Sequence, residues 1–245
     1  MEFEKVDGLN PTQNGFRENV DITSELGGKA DVINENVEIC EDILGEDVAI
    51  VTGRPFDNLE RLDYSQGDNS YEAGGCCGLV SSSNFLNICG LETTENEVVG
   101  FAMENDLCAN GFFVPYESRG GTGDPQIEAV IESYGVEVTA YDTYNGGSID
   151  DIANAIDEGR AVTIGVNAGY LWDEPSALGE GQANHQITVT GAVRDTEGEV
   201  IGLVVCDSGR GLESDACRVV PRSQLELCYE NASGASAIIT DYAVR

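Results

Sequence analysis

The sequence predicts an α+β fold in which helices pack on one antiparallel sheet that forms late in the chain. Two observations support this prediction. Helix start and stop signals cluster between residues 76 and 159, whereas short apolar runs separated by turn residues dominate from residue 161 onward. Helices that come before the strands are typical of α+β domains. The 245 residues, of which 41% are hydrophobic, suffice for one hydrophobic core.

Four helices are predicted in the first region, each from its capping signals. The second begins at Thr94, where Glu97 three residues later completes a capping box. The third opens with Asp124 and Pro125 at the cap and first-turn positions. The helices extend from the CCG sequence to the residue before Gly90, from Thr94 to about Asp106, from Asp124 to near Gly135, and from Ser148 to Gly159.

The strands follow as five short apolar runs: AVTIGVNA, HQITVTGAV, VIGLVVCDSG, CRVV and ASAIITDYAV, with a short helix, SQLELCYE, before the last. Residues 1–62 are polar and rich in turn residues, and their one apolar run, DVAIVT, shows no sustained period. We therefore interpret residues 1–62 as an N-terminal extension of uncertain fold and residues 63–245 as the main domain.

The charge balance excludes one class of partner. The chain has 45 acidic and 12 basic residues, a net charge of -33, so phosphate backbones are repelled and nucleic-acid binding is not expected. The acidity indicates a solvated surface; a high-salt habitat or a basic partner would produce the same composition. No segment has the length and apolarity of a membrane span, and MEFEKVDGLN lacks the pattern of a signal peptide. The localisation stays unknown, since export would need another route or a longer protein.

The cysteines do not predict a metal site or any other cofactor. Eight are present without a C-x-x-C pair, and the sole histidine, His185, has no cysteine at zinc-ligand spacing. Most are therefore interpreted as small buried hydrophobic residues. A redox role for Cys76 and Cys77 is the weakest alternative, because adjacent cysteines close only a strained ring.

Cys77 is the candidate nucleophile because of its place at a predicted helix start. Backbone N–H groups there have no intrahelical partners, and the helix dipole adds partial positive charge, so a thiol ionises more easily. At helical spacing Cys76 shares a face with Leu79 and Val80, whereas Cys77 lies nearer the polar side, with Ser81. The alternative is that both cysteines are simply buried.

A predicted hairpin brings the histidine close to an aspartate. The turn sequence DTEG separates two apolar runs, 185–194 and 199–207. A four-residue loop pairs Arg194 with Glu199 and places His185 opposite Ser208, one position from Asp207. A loop one residue longer would place His185 and Asp207 directly opposite each other, within side-chain contact. An aspartate there would fix the imidazole tautomer and support its charged form.

This order of cysteine, histidine and aspartate, with a helix under the first and a hairpin under the others, resembles the papain-like cysteine peptidases. The similarity is strongest to a bacterial branch that includes the bacteriocin-leader (double-glycine) peptidases and the papain-fold domains of polymorphic toxins. It covers roughly residues 64–220 and is carried by GGCCGLVSSSNFLNICGLETTENEVVGFA, GGTGDPQIEAVIESYGV and NHQITVTGAVRDTEGEVIGLVVCDSG. The papain signature around the catalytic cysteine is missing, so the chain is not a close relative of papain.

The resemblance implies a papain-like fold with the nucleophile at the N-terminus of the first core helix, and a role for each site residue. Cys77 would be the nucleophile, His185 the general base and Asp207 the residue that orients the histidine. Gln66 would stabilise the oxyanion, although it lies eleven residues before Cys77, a longer gap than is usual in the family. Asn69 is the substitute for this role.

The expected reaction is the cleavage of an amide bond in a protein or peptide substrate through a thioester intermediate. A glutamine deamidase or a transglutaminase would use the same intermediate, and a catalytically silent papain-fold module that binds a partner is a further alternative. The toxin resemblance implies delivery to another cell or secretion within a larger bacterial protein, with a dedicated inhibitor or immunity protein as partner. The run from Gly169 to Asn184, which contains Trp172, is expected to form a mobile wall of the cleft.

Overall fold

A computed structural model describes residues 37–53 and 62–244. In these residues the strands are β1 Val37–Ile43, β2 Glu46–Gly53, β3 Val138–Asp142, β4 Val162–Val166, β5 His185–Arg194, β6 Val200–Cys206, β7 Arg218–Pro221 and β8 Ser236–Thr240. The α-helices are α1 Cys77–Ile88, α2 Glu95–Glu104, α3 Asp124–Ser133, α4 Ile149–Asp157, α5 Ala168–Trp172 and α6 Arg222–Leu225. No helix in these ranges is long and apolar enough to cross a membrane.

The eight described strands form one sheet, and all of the strand pairings within it are antiparallel. The main order is β1-β2-β5-β4-β8-β3, while β6 pairs with β5 and β7 pairs with β6. The long strand β5 is central: one edge pairs first with β4 and then with β2, and the other edge pairs with β6. The predicted α+β class, with the helices packed on a mostly antiparallel sheet, is confirmed.

Part of residues 1–62, for which the sequence predicts no fold, continues this sheet. β1 and β2 form a hairpin, and β2 pairs with the second half of β5 from Ile50 opposite Arg194 to Gly53 opposite Gly191. Ile43, Ala49 and Val51 pack with Val193, Val204 and Val219 in a small apolar cluster. The rest of residues 1–62, apart from Leu62, lies outside the described residues, and the division of the chain at residue 62 stays a prediction.

α1 lies between the sheet and two other helices. Its residues from 78 to 87 are buried, and it packs on β5, α2 and α3. Two hydrogen bonds fix it to the start of β5: the Ser81 hydroxyl donates to the carbonyl of Gln186 (3.0 Å), and the Thr188 hydroxyl donates to the carbonyl of Ser81 (3.3 Å). The first turn of α1 is therefore held close to the first residue of β5, His185.

The capping signals predicted these helices, but they placed some of the helix ends at the wrong residue. The Thr94 capping box is present at the start of α2. α3 begins at Asp124, so Gly123, not Asp124, is its cap; the Gly123 N–H donates to the Gln126 side chain (3.0 Å). The predicted SQLELCYE helix begins one residue earlier as α6 and continues as a π-helical turn, Glu226–Glu230. The sequence did not predict β3 or α5.

Candidate active site

The nucleophile candidate, Cys77, is the first residue of α1, and the backbone around it is tightly packed. A Cβ atom added at Gly78 would overlap the Thr122 hydroxyl and contact Ile127 of α3. The N–H of Gly75 donates to the carbonyl of Arg119 (3.0 Å). Glycines therefore flank the two cysteines because the start of α1 packs directly against residues 116–127.

Cys76 is a buried thiol and not a nucleophile candidate. It is fully inaccessible, and its Sγ lies 3.0 Å from the carbonyl oxygen of Ala73 and 3.2 Å from Glu95 Oε1, two acceptors that share its one proton. Burial and the charge of Glu95 raise the pKa of Cys76 far above that of an ordinary thiol. The thiol therefore keeps its proton at physiological pH and serves as a packing and hydrogen-bonding group.

Cys77 is half-buried and has the opposite electrostatics. Burial acts to raise its pKa, but a hydrogen bond from His185 and the charge of that ring outweigh it, and the backbone N–H groups of Gln186 and Gly78 add to the effect. The net result is a lowered pKa for the Cys77 thiol. Cys77 is thus poised as a thiolate, the form that acts as a nucleophile.

His185 links Cys77 to a carboxylate. Its Nε2 lies 2.7 Å from Asp207 Oδ1, which leaves Nδ1 for the hydrogen bond with Cys77. Burial acts to lower the pKa of His185, but the charge and hydrogen bond of Asp207, together with those of Cys77, raise it to about 10. The arrangement therefore favours an imidazolium beside a thiolate.

Asp207 is fully buried and each of its oxygens is hydrogen-bonded. Oδ1 accepts from His185 and from the N–H of Gly209 (2.9 Å), while Oδ2 accepts from the indole N–H of Trp172 (2.7 Å). Burial acts to raise the pKa of Asp207, but the charge and hydrogen bond of His185 lower it to about 2. Asp207 therefore stays ionised and holds the imidazole in one orientation.

The contact between His185 and Asp207 forms in a register different from the predicted one. The difference begins at the turn, where Arg194 pairs with Val200, not Glu199. The irregularities at residues 189–191 and 193–194 shift the ladder in opposite directions, so Thr188 still pairs with Cys206 at the same one-position difference. The ladder ends at Thr188 and Cys206, so His185 pairs with neither Ser208 nor Asp207, and the two predicted registers that place one of them opposite His185 are wrong. Asp207, the first residue after β6, reaches the ring from beyond the end of the ladder.

Gly209 leaves room for the rings of Trp172 and His185. A Cβ atom there would overlap the Trp172 ring and come within 2.9 Å of His185 Cε1. The two rings lie 5.1 Å apart at 58°. Residue 209 must therefore be glycine for Trp172 and His185 to pack together over Asp207.

Trp172 is the site residue whose role the sequence did not predict. It ends α5, where Gly169 and Leu171 are buried, while residues 172–184 are half-buried or exposed, and the mobile wall expected from Gly169 to Asn184 stays a prediction. The buried amide of Asn167 also donates to the carbonyls of Leu178 and Gln182 (2.9 and 2.7 Å). The one available signal was a single tryptophan close before the single histidine.

Gln66 and Asn69 occupy different surroundings. The Gln66 amide donates to the carbonyl of Gly74 (2.8 Å), and its oxygen accepts from the Ser208 hydroxyl (3.3 Å). It thus lies between the segment that leads to Cys77 and the residue after Asp207. Asn69 instead donates to Ala73 and Glu95 and fixes its own loop. The oxyanion role of Gln66 stays a prediction.

We expect iodoacetamide to label Cys77 at pH 6 about tenfold or more faster than Cys108, even though a low-pKa thiolate is intrinsically less nucleophilic. Burial raises the pKa of Cys108, which is half-buried like Cys77, so Cys108 is a matched internal reference. In His185→Ala the difference should disappear, because the charge that supports the thiolate is gone. Rates mapped by mass spectrometry between about pH 5 and pH 8 check this; equal rates at the two cysteines would contradict it.

Trp172→Phe is expected to lower the free energy of unfolding by about 1–3 kcal/mol, because it leaves one buried oxygen of the Asp207 carboxylate without its donor. The phenyl ring preserves most of the packing against His185. Urea denaturation followed by circular dichroism measures the change. The control is Tyr170→Phe on the same helix, where the ring is 42% exposed. An equal loss of unfolding free energy in both variants would show that the indole hydrogen bond to Asp207 makes no specific contribution to stability.

No group of three or more histidine, cysteine, aspartate or glutamate side chains in the described part of the chain could hold a metal ion. The site offers a thiol, an imidazole and a carboxylate in one hydrogen-bonded row. Such a row suits nucleophilic attack on an acyl group followed by proton transfer.

Comparison with known proteins places the chain in a family. A family model described as the Peptidase_C39 like family matches residues 61–237. The curated proteins gave no match. Among solved structures, the crystal structure of SERA5E from Plasmodium falciparum is similar over 89% of this chain and 100% of that chain, at 11% sequence identity and a TM-score of 0.42. Since the family model covers more than half of the sequence, this chain belongs to the Peptidase_C39 like family and has a function of the cysteine peptidase type.

Proposed function

We propose that the protein is a papain-like thiol hydrolase that cleaves an amide bond in a protein or peptide through a thioester acyl-enzyme. Cys77 is the nucleophile, His185 the general acid and base, and Asp207 the residue that orients His185. The observation that supports this proposal is the hydrogen-bonded row from Cys77 through His185 to Asp207, with the thiol at the start of a helix. Each member has the pKa shift that its role requires.

In the first half of the reaction the Cys77 sulfur attacks the amide carbon, and the carbonyl oxygen becomes an oxyanion. The N–H of Cys77, which has no intrahelical partner at the first position of α1, and the Gln66 amide are the proposed oxyanion donors. His185 then gives its Nδ1 proton to the nitrogen of the leaving amine, the carbon–nitrogen bond breaks, and a thioester remains on Cys77.

In the second half a water molecule attacks the thioester carbon while Nδ1 of His185 takes its proton. The carbon–sulfur bond breaks, which releases the carboxylic acid and restores the thiolate beside the imidazolium. Asp207 stays ionised throughout because its two oxygens are occupied by three donors. It therefore supports the positive charge of His185 without accepting the proton.

The wider role in this proposal is that of a bacterial protease that acts as a toxin or effector domain. Its support is the resemblance to the papain-fold domains of polymorphic toxins. A protein of this kind acts on a protein or peptide of another cell and is held inactive by a dedicated inhibitor or immunity protein. The acidic surface, with a net charge of -33, favours a basic partner for both tasks.

The test is to incubate the wild-type protein and Cys77→Ala with a proteome-derived peptide mixture and to compare the products by mass spectrometry. New peptide termini that depend on Cys77 are expected. A Cys77-dependent gain of about one mass unit on glutamine would instead identify a deamidase, and a crosslink with loss of ammonia a transglutaminase, since all three share the acyl-enzyme. Identical product sets for the two proteins would contradict the proposal and favour a silent binding module.

A further inference from the structure

An acidic cavity lies beside the segment that leads to Cys77. It has a volume of about 490 Å³ and is lined by residues 63–65, Asp68, residues 94–96 and Gly211. Three of the lining residues are carboxylic acids at increasing depth: Asp68 is exposed, Asp63 is half-buried and Glu95 is 3% exposed. No lysine or arginine lines the cavity in the part of the chain that the structure describes. The negative charge of its wall therefore has no basic counterpart within the wall.

Glu95 is the most deeply buried acidic residue of the cavity, and its two carboxylate oxygens differ in their hydrogen bonds. Oε1 accepts from the Gly67 N–H (2.7 Å), the Asn69 amide (2.7 Å) and the Cys76 thiol (3.2 Å). Oε2 is buried and accepts no hydrogen bond from an N–H, O–H or S–H group of the described residues, and the acidic group next to Glu95 is the carboxyl of Asp63. A buried carboxylate oxygen without a donor is costly, so this oxygen marks a place where a donor from outside the chain would bind.

The surroundings select a cationic donor. Burial raises the pKa of Asp63, and the charge of Glu95 and a hydrogen bond with its carboxyl group raise it further, so the two carboxyl groups lie next to each other and repel when both are ionised. A cation between them would relieve this repulsion. The side chains present do not converge on a metal ion in the described structure. A guanidinium group, which is planar and donates to two carboxylates at once, matches acceptors spread along a cavity better than a point charge does.

We propose that this cavity binds a basic side chain of the peptide substrate, arginine in preference to lysine. The inference rests on the proposed peptidase function and adds a specificity site to it. Gln66, the proposed oxyanion donor, lies between two residues that belong to the cavity. Ser65 before it lines the cavity, and the N–H of Gly67 after it donates to Glu95. An arginine bound there also fixes the loop that carries the proposed oxyanion donor.

The test is a titration of the full chain, as Cys77→Ala so that nothing is turned over, followed by ¹H–¹⁵N NMR at pH 7. The probes are N-acetyl-L-arginine amide and N-acetyl-L-citrulline amide, which have the same shape but differ in charge. We expect saturable shifts of the Gly67 and Asn96 amide signals with the arginine amide, and binding at least about tenfold weaker with the citrulline amide. Asp68→Asn, which changes an exposed side chain, should weaken arginine binding about fivefold or more.

Asp106→Asn is the matched control, an exposed aspartate outside the cavity, and it should bind the arginine amide as the parent does. Equal shifts with both probes, or arginine binding unchanged by Asp68→Asn, would overturn the proposal. The unpaired oxygen of Glu95 would then be satisfied by a proton held between Glu95 and Asp63. Because the titration needs no turnover, these results are independent of whether Cys77 is catalytic.

A second measurement joins the site to catalysis. Peptides cleaved in the product experiment are resynthesised with citrulline in place of each arginine, and kcat/KM is measured for the wild type and Asp68→Asn. One arginine position should lose tenfold or more on replacement by citrulline in the wild type and clearly less in Asp68→Asn. The same loss in both proteins would overturn the assignment of this cavity and leave the peptidase function intact.

Discussion

Replacing Cys77 by alanine should lower amide turnover by about 10⁴-fold or more, to the level of the uncatalysed background, because no other described thiol could take its place. Cys77 is the cysteine whose pKa is lowered by hydrogen bonds and charge, whereas the buried Cys76 is held as a thiol by Glu95. The measurement is the initial rate on a peptide cleaved by the wild-type protein, separated by chromatography and quantified by mass spectrometry.

Two further cysteine variants serve as controls for this result. Cys108→Ala removes a half-buried thiol from a different segment and should keep wild-type turnover. Cys76→Ala removes the neighbour of the nucleophile; it should lower stability through its lost hydrogen bonds but keep turnover within about tenfold, since that sulfur is fully buried. Loss of turnover in Cys76→Ala together with its retention in Cys77→Ala would reverse the choice between the two cysteines.

Local signals predicted the elements that position the site. Glycines around two cysteines, followed by a helical pattern, predicted the first turn of α1, and the DTEG turn predicted the hairpin that brings His185 and Asp207 together. Both signals act within a few residues of the feature that they specify, through backbone freedom and turn preference. For this reason the sequence alone predicted that these three side chains lie close together.

Features that depend on distant partners could not be predicted in this way. β5 pairs with β2, β4 and β6, and a count of residues through the hairpin considers only β6, so it gives neither the pairing of Arg194 with Val200 nor the two irregularities of the β5–β6 ladder. The hairpin of β1 and β2 gains its apolar neighbours from Val193 and Val204, about 150 residues later in the sequence. Trp172 likewise acquires its role only from Asp207, 35 residues away.

Glu95 likewise has no signal in the sequence that indicates its role in the cavity. Acidic residues are common in the first turn of a helix, where they interact favourably with the helix dipole, so Glu95 and Glu97 at the start of α2 look alike. In the structure Glu97 completes the capping box, whereas Glu95 is buried beneath the loop that carries Gln66. Only tertiary packing separates a capping carboxylate from one that builds a cavity.

Asp207→Asn should reduce turnover by about 10³- to 10⁴-fold and move the alkaline limit of activity to lower pH. The active pair, a thiolate beside an imidazolium, exists above the lowered pKa of Cys77 and below the raised pKa of His185. The charge of Asp207 is the main cause that raises the pKa of His185, while burial acts to lower it. With asparagine the burial stays and the charge is lost, so the pKa of His185 falls and the imidazolium is lost at lower pH.

The measurement is kcat/KM on one cleaved peptide as a function of pH, because this quantity reports the ionisations of the free enzyme. Asp195→Asn is the matched control: it lies at the turn of the same hairpin, and an asparagine side chain can still accept from the N–H groups of Glu197 and Glu199. It should leave both limbs of the profile in place. An unchanged alkaline limb in Asp207→Asn would mean that some group other than Asp207 sets the charge of His185. The proposed order of nucleophile, general base and orienting carboxylate would then lose its third member.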